Sequence, residues 1–170
     1  MDTVLEAMRA LITTTPGRWT EMAQALPVEL LELPPADGEW SAVQCLQHLV
    51  DTEQVFQFRL KAFMDGRDIP DFNPDSDGTR PGAQTPLALA EEFARLRRES
   101  LLLLGKLSPA DLPRKVRHSE LGMVTLNEMV HEWGAHDLNH TVQAERALMQ
   151  PFIQGSGPWK QYFADHIIGD

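Results

Sequence analysis

The chain has 170 residues, enough for one domain with a real apolar core and no covalent staples. Acidic residues outnumber basic ones by 25 to 15, a formal charge of −10, which works against binding a phosphate backbone. No apolar run approaches the ~20 residues that span a bilayer; Leu101 to Leu104, for example, is closed off by Ser100 and Gly105.

The first residues, Met1 to Glu6, carry no basic n-region and no signal-peptide core, so a cytoplasmic location is expected. Residues 3–13 read as a helix. Thr15-Pro16 then looks like a cap followed by a first-turn proline. Two readings stay open: a second short helix from Pro16 to Leu26, or one long helix kinked there. Pro34 to Gly38 is a loop.

The next helix opens at Ser41, an N-cap candidate after Trp40, and runs through Phe63 to a stop near Gly66. Cys45, Leu49, Thr52, Phe56 and Phe63 recur at bundle spacing and mark an inward face, with His48 beside it. Cys45 is the single cysteine, which excludes an internal disulfide and a cysteine-rich zinc site. It reads as a small buried hydrophobe, and Thr52 as a small polar core residue.

Residues 67–84 form a polar linker suited to crossing between bundle helices. Thr85-Pro86 repeats the cap-plus-proline signal. A helix follows to Leu104, with Leu89, Phe93, Leu96 and Leu103 on one stripe, and Gly105 ends it. Arg95, Arg97 and Arg98 are offset by Glu91, Glu92 and Glu99 and read as a solvated face. Ser108 to Leu112 looks like a single turn, and Lys115 to Arg117 has the composition to pair locally with Leu121 to Val124. The last long helix starts after Thr125 and is expected to end before Pro151. Trp159 to Ile168 then reads as a short closing helix. The whole is an all-α four-helix bundle in one domain, residues 1–170, with short extra helices. Trp40, Trp133 and Trp159 are expected to anchor packing.

Six histidines remain to be placed: His48, His118, His131, His136, His140 and His166. His136 and His140 differ by about 40° around a helix and about 6 Å along it. Two imidazoles at that spacing chelate one ion. His131 is nine residues from His140 and points about 180° away. His118 lies in a loop and His166 near the chain end, so neither has a strong positional claim. A third nitrogen must come from another helix, and His48 is the histidine that qualifies. Gln143 continues the stripe and can reach a metal-bound water or hold a ring N–H. Asp137 and Asn139 flank the pair as candidate partners of the ligands. There is no Gly-rich phosphate loop and no G-x-S-x-G elbow.

Gly38-Glu39-Trp40-Ser41 followed by Gln47 to Glu53 resembles the start of the second helix of the DinB-like (DinB/YfiT) metalloenzyme superfamily. Leu121 to Leu126, then His136 to Gln143, resembles its closing motif. The resemblance runs over roughly residues 3–165. It implies an up-down-down-up bundle with a long crossover, and a metal held by His48, His136 and His140. The ion implied is nickel or zinc, with manganese or iron also compatible. It further implies a homodimer, a small-molecule substrate, and in some relatives transfer chemistry on a low-molecular-weight thiol such as mycothiol or bacillithiol. The leading expectation is therefore a metal-dependent enzyme, a thiol-dependent transferase or hydrolase, with Gln143 and Asp51 as candidate catalytic helpers. The alternatives are a non-catalytic metal-binding or dimeric stress-response module, and a plain bundle without metal. Ligand imidazoles must be neutral, so metal loss is expected below the free histidine pKa of ~6.5.

Overall fold

A computed structural model describes residues 4–72 and 84–169. Among the described residues five α-helices, named in chain order, carry the fold: α1 (Val4–Ala25), the single turn α2 (Val28–Leu31), α3 (Ala42–Asp65), α4 (Pro86–Leu104) and α5 (Leu126–Gly155). Two short strands, β1 (Lys115–His118) and β2 (Gly122–Thr125), pair antiparallel with Lys115 opposite Thr125 and His118 opposite Gly122. Most of the expected linker, residues 73–83, lies outside the described residues.

Local chemistry sets the boundaries of the helices that carry the histidines. Ser41 and Gln44 form a reciprocal capping box on α3, and Thr125 and Glu128 do the same for α5, each satisfying two orphan donors. α3 ends on Gly66 at φ 66°, a left-handed position that glycine takes without Cβ strain.

Contacts between helices fix their directions. Arg9 reaches the Leu104 carbonyl and Arg97 the Ile12 carbonyl, so α1 and α4 are antiparallel. Glu53 meets Arg97 and Gln57 meets Ser100, so α3 and α4 run in parallel. Phe56 stacks on Trp133 while His48 meets His136, so α3 and α5 are antiparallel. The order is up-down-down-up, and the parallel α3–α4 pair requires the long crossover.

The core is two apolar clusters with a polar waist between them. Leu5, Ile12, Phe56, Phe63, Leu104 and Trp133 belong to one; Trp19, Leu46, Leu49, Phe93, Leu96 and Ala144 belong to the other. At the boundary each long helix contributes one residue: Thr15, Glu53, Arg97 and Asp137, all buried. Arg97 is bidentate to Glu53 at 2.8 and 3.0 Å and bonds Asp137 at 2.5 Å. It also donates to the Ile12 carbonyl at 2.8 Å and the Thr15 hydroxyl at 3.0 Å, and its guanidinium lies 4.6 Å from the Phe93 ring centre. Burial disfavours its charge, but the two carboxylates outweigh that and hold its pKa above the usual value.

This corrects the reading of Arg97 as part of a solvated face. Arg95 and Arg98 are exposed, with Arg95 paired to Glu92 and Glu99 at the surface; Arg97 is 1% exposed. The waist also settles α1 as one continuous helix. Pro16 has no N–H to give the Ile12 carbonyl, and Arg97 supplies that missing donor.

Three further expectations change. α5 runs through Pro151 to Gly155, because Gln150 clamps its last turn to the Arg146 carbonyl and to the backbone of His166 and Ile168. The closing segment is a tighter 3₁₀ run over Gly157–His166, broken at Phe163, and Trp159 is 66% exposed rather than an anchor. The inward stripe of α4 extends to Leu104, which is fully buried, with Leu103 partly buried and packed against the same cluster.

Replacing Arg97 with Met leaves two buried carboxylates uncompensated and should cost about 3–5 kcal/mol in urea denaturation. Removing all three charges together (Arg97→Met, Glu53→Leu, Asp137→Leu) should recover most of that loss. A neutral Arg97→Met variant would show that the waist does not hold the bundle.

Candidate metal centre

His48, Thr52 and Phe56 follow one another at four-residue spacing on α3, so they share a face. On α5 the same spacing gives Glu128, Glu132, His136 and His140. The two stripes face each other across the antiparallel pair, at the level of the polar waist. There His48 Nε2 lies 3.1 Å from His136 Nε2, and the ring centres of His48 and His140 are 4.4 Å apart. One nitrogen from each of the three rings falls within 4.8 Å of the others.

Two nitrogens bound to one ion at ~2.1 Å stand about 3.0–3.4 Å apart, so the 3.1 Å approach suits a shared ion. The rings are held in two ways. His140 Nδ1 meets the Gln143 side-chain oxygen at 2.8 Å; with the proton on Nδ1, the Nε2 lone pair is free for the site. Among the described residues His48 and His136 have no hydrogen-bond partner at Nδ1, and their rings pack on aromatic walls. Trp40 packs on His48 at 5.0 Å and stacks on His140 at 5.8 Å, and Phe56 meets His136 nearly edge-on at 5.5 Å.

Burial pushes the His48 pKa down to about 4, helped by His140. Burial likewise takes His136 down to about 3, with His140, His48, Arg59 and Arg97 adding to it. His140 is lowered by burial, against the pull of Gln143 and Asp137. All three rings are therefore neutral at physiological pH, the form that binds a metal.

A cavity of about 470 Å³ opens from the three histidines. Its walls are mainly apolar, with Phe56, Phe63, Val124 and Met129 among them, and Arg59, His118 and Glu132 interrupt them. Glu132 has an exposed outer face, yet its neighbours desolvate the carboxyl and push its pKa upward, against the pull of Arg59.

Other sequence candidates take different places. Gln143 and Asp51 are not on the cavity wall; Gln143 backs His140, and Asp51 accepts from Gln47 at 3.1 Å. Asp137 turns inward to Arg97 and leaves the ligands, while Asn139 faces a separate surface depression. His131 is exposed and bonds the Asn127 carbonyl, and the His166 carbonyl accepts from Gln150. His118 was undervalued: it is 5% exposed on β1 and lines the cavity. Trp40 is a ring support as well as a packing residue. Glu132 was legible as the E-x3-H-x3-H extension of the histidine pair, and Arg59 as the continuation of the His48 face. Burial pushes the Cys45 thiol up to about 12, so it stays protonated, outside the histidine cluster.

The family model of the DinB superfamily matches residues 11–144, a span that contains all three histidines. The chain belongs to the DinB superfamily. Its fold is similar to a solved structure from Bacillus subtilis, YfiT, described as a probable metal-dependent hydrolase with an unusual four-helix bundle topology. The TM-score is 0.73 at 17% identity, over 87% of each chain; at that identity the likeness is one of DinB fold. No curated protein matches the chain.

The unfolded chain binds protons on these rings near pH ~6.5, whereas in the folded chain burial takes His48 down to about 4 and His136 to about 3 and also lowers His140, so stability falls as pH drops below ~6.5. The same shift protects metal binding from protons. Zinc affinity from chelator competition should fall less than about tenfold between pH 7.5 and 5.5, where three ordinary imidazoles would lose about a thousandfold. A loss near a thousandfold would mean that the rings titrate as free histidine.

Proposed function

We propose that this chain is a metal-dependent enzyme in which His48, His136 and His140 hold one divalent ion, nickel or zinc first among the candidates, with manganese and iron also compatible. The observation that carries the reading is the cluster of three neutral imidazoles at the end of a cavity large enough for a small molecule. A closed structural site would surround its ion with protein ligands on every side, whereas three nitrogens beside open space leave positions for water or substrate.

The bound ion would supply Lewis acidity, lowering the pKa of a water or thiol placed on it. The remaining work falls to this chain's own residues. Gln143 keeps the His140 proton on Nδ1. Trp40 and Phe56 hold the rings and exclude bulk water from one side. Glu132, one turn before His136 on the same face, is the cavity carboxylate placed to accept a proton from the nucleophile and return it to the leaving group. Asp51 lies off the cavity wall, so we assign it no direct contact with substrate.

Hydrolysis and thiol transfer both fit this arrangement, since neither needs a protein nucleophile when a bound ion would activate the water or thiol. A small-molecule substrate, with a low-molecular-weight thiol as one candidate, and a second copy of the chain complete the proposed partners.

The test compares wild type with His140→Ala and Glu132→Gln on a panel of ester, amide and thiol-plus-electrophile substrates, with metal content measured on each preparation. His140→Ala should lose the ion and at least 100-fold in kcat/KM. Glu132→Gln should keep the ion and lose about 100-fold in kcat. Equal turnover in wild type and His140→Ala would remove metal-assisted chemistry.

A further inference from the structure

The cavity has a second polar end, and its hydrogen bonding does not close. His118 is buried, at 5% exposure, where β1 meets the chain that leaves α3. Ile69 donates to the Arg117 carbonyl and Ser119 to the Ile69 carbonyl, which fixes the backbone on both sides of the ring. His118 Nδ1 accepts the backbone N–H groups of Glu120 at 3.2 Å and Leu121 at 3.3 Å. A neutral imidazole carries one ring proton, so that proton is on Nε2. Yet Nε2 faces Arg59 Nη2 at 3.4 Å, and a guanidinium has donors only. Two donors therefore converge with no acceptor between them among the described residues. Arg59 Nε is also buried without a hydrogen-bond partner. Among the described residues Arg59 makes no ion pair within bonding distance, although Asp71, Glu120, Glu128 and Glu132 line the same cavity. Glu128 is committed to capping Thr125, and Asp71 accepts from the backbone of Phe72.

Buried donors are almost always satisfied, and a set that lacks only its acceptor calls for an oxyanion. We infer that Arg59 and His118 Nε2–H anchor the carboxylate of an elongated monocarboxylic acid whose apolar body lies along Phe56, Phe63 and Met129 and whose reacting end meets the three histidines. The inference rests on the metal-enzyme reading for the role of that far end, while the anchor itself stands on the donor geometry. Arg59 is eleven residues from His48 along α3, up to about 16 Å, so the ligand is long. A monoanion is favoured over a phosphate dianion because one guanidinium and one neutral N–H must serve it against four nearby carboxylates. Arg59 and His118 are positioning residues in this scheme; they touch the ligand away from the bond that reacts.

The probes are 4-phenylbutanoate, its neutral amide and 4-phenylbutyl phosphate, titrated into the full chain with and without zinc. Calorimetry gives affinity, and the ¹⁵N resonances of Arg59 Nε and His118 Nε2 report contact. The carboxylate should bind both zinc-free and zinc-loaded protein at least tenfold tighter than either other probe and should shift both resonances. Arg59→Gln should lose that preference tenfold or more while keeping its zinc content; Arg59→Lys should restore part of it. Circular dichroism of each variant separates lost binding from lost fold. Equal affinity for carboxylate and amide, an unchanged Arg59→Gln variant, or preference for the phosphate overturns the assignment. Carboxylate binding that needs zinc and vanishes in His140→Ala places the anion on the ion, which overturns the anchor and leaves the metal reading intact. Carboxylate binding retained in a chain that takes up no zinc supports the anchor and sinks the metal reading alone.

Discussion

The bundle depends on one buried cation. Arg97 ties α4 to α1, α3 and α5 through Ile12, Thr15, Glu53 and Asp137. Charged groups this deep are costly unless every lone pair and proton is engaged. Apolar surfaces tolerate sliding, because leucine packs acceptably in many registers. A bidentate guanidinium–carboxylate pair does not. The waist therefore contributes less to net stability than to choosing one alignment of four helices from many that would bury similar area.

That alignment is what brings the three histidines together. His48 precedes Glu53 by five residues, and His136 adjoins Asp137. Once Arg97 fixes Glu53 against Asp137, the two histidine-bearing faces are brought level. A slip of α3 along α5 by one turn, about 5.4 Å, would part His48 from the other rings. Pro16 belongs to the same arrangement: its missing N–H leaves the Ile12 carbonyl open for the buried guanidinium. The proline that looks like a helix start in the sequence works as a vacancy in the interior.

Superfamily membership accounts for the scaffold. It says little about what reacts there, because a fold hosts many chemistries and function resides in the grafted site. The part of this chain that bears on substrate choice is the cavity between the histidines and the β-hairpin. The hairpin is short, but it converts His118 from a loop residue into a buried wall residue with a set tautomer. A long α3 then carries Arg59 to the same place. The opposed donors there and the neutral imidazoles at the other end give the cavity two distinct polar poles with apolar surface between them.

How much of this was legible in the sequence follows from the range of each signal. Caps, helix stops and the His136/His140 pair are local: Ser41 with Gln44, Gly66, Thr85 with Pro86, and the four-residue histidine spacing all lie within a turn or two. Their geometry is dictated by 3.6 residues per turn alone. The trio with His48 is legible because His48 lies beside an apolar face, whereas the up-down-down-up order is implied only by the resemblance to the DinB-like family. What the sequence could not carry was the fate of charges whose partners are distant. Arg97 meets Glu53 across 44 residues and Asp137 across 40, and among neighbours such as Arg95 and Glu99 it resembles any solvated arginine. The role of His118 likewise depends on Arg59, 59 residues away. Burial of a charge and the pairing of two donors are properties of inter-element register, and only the folded chain sets that register.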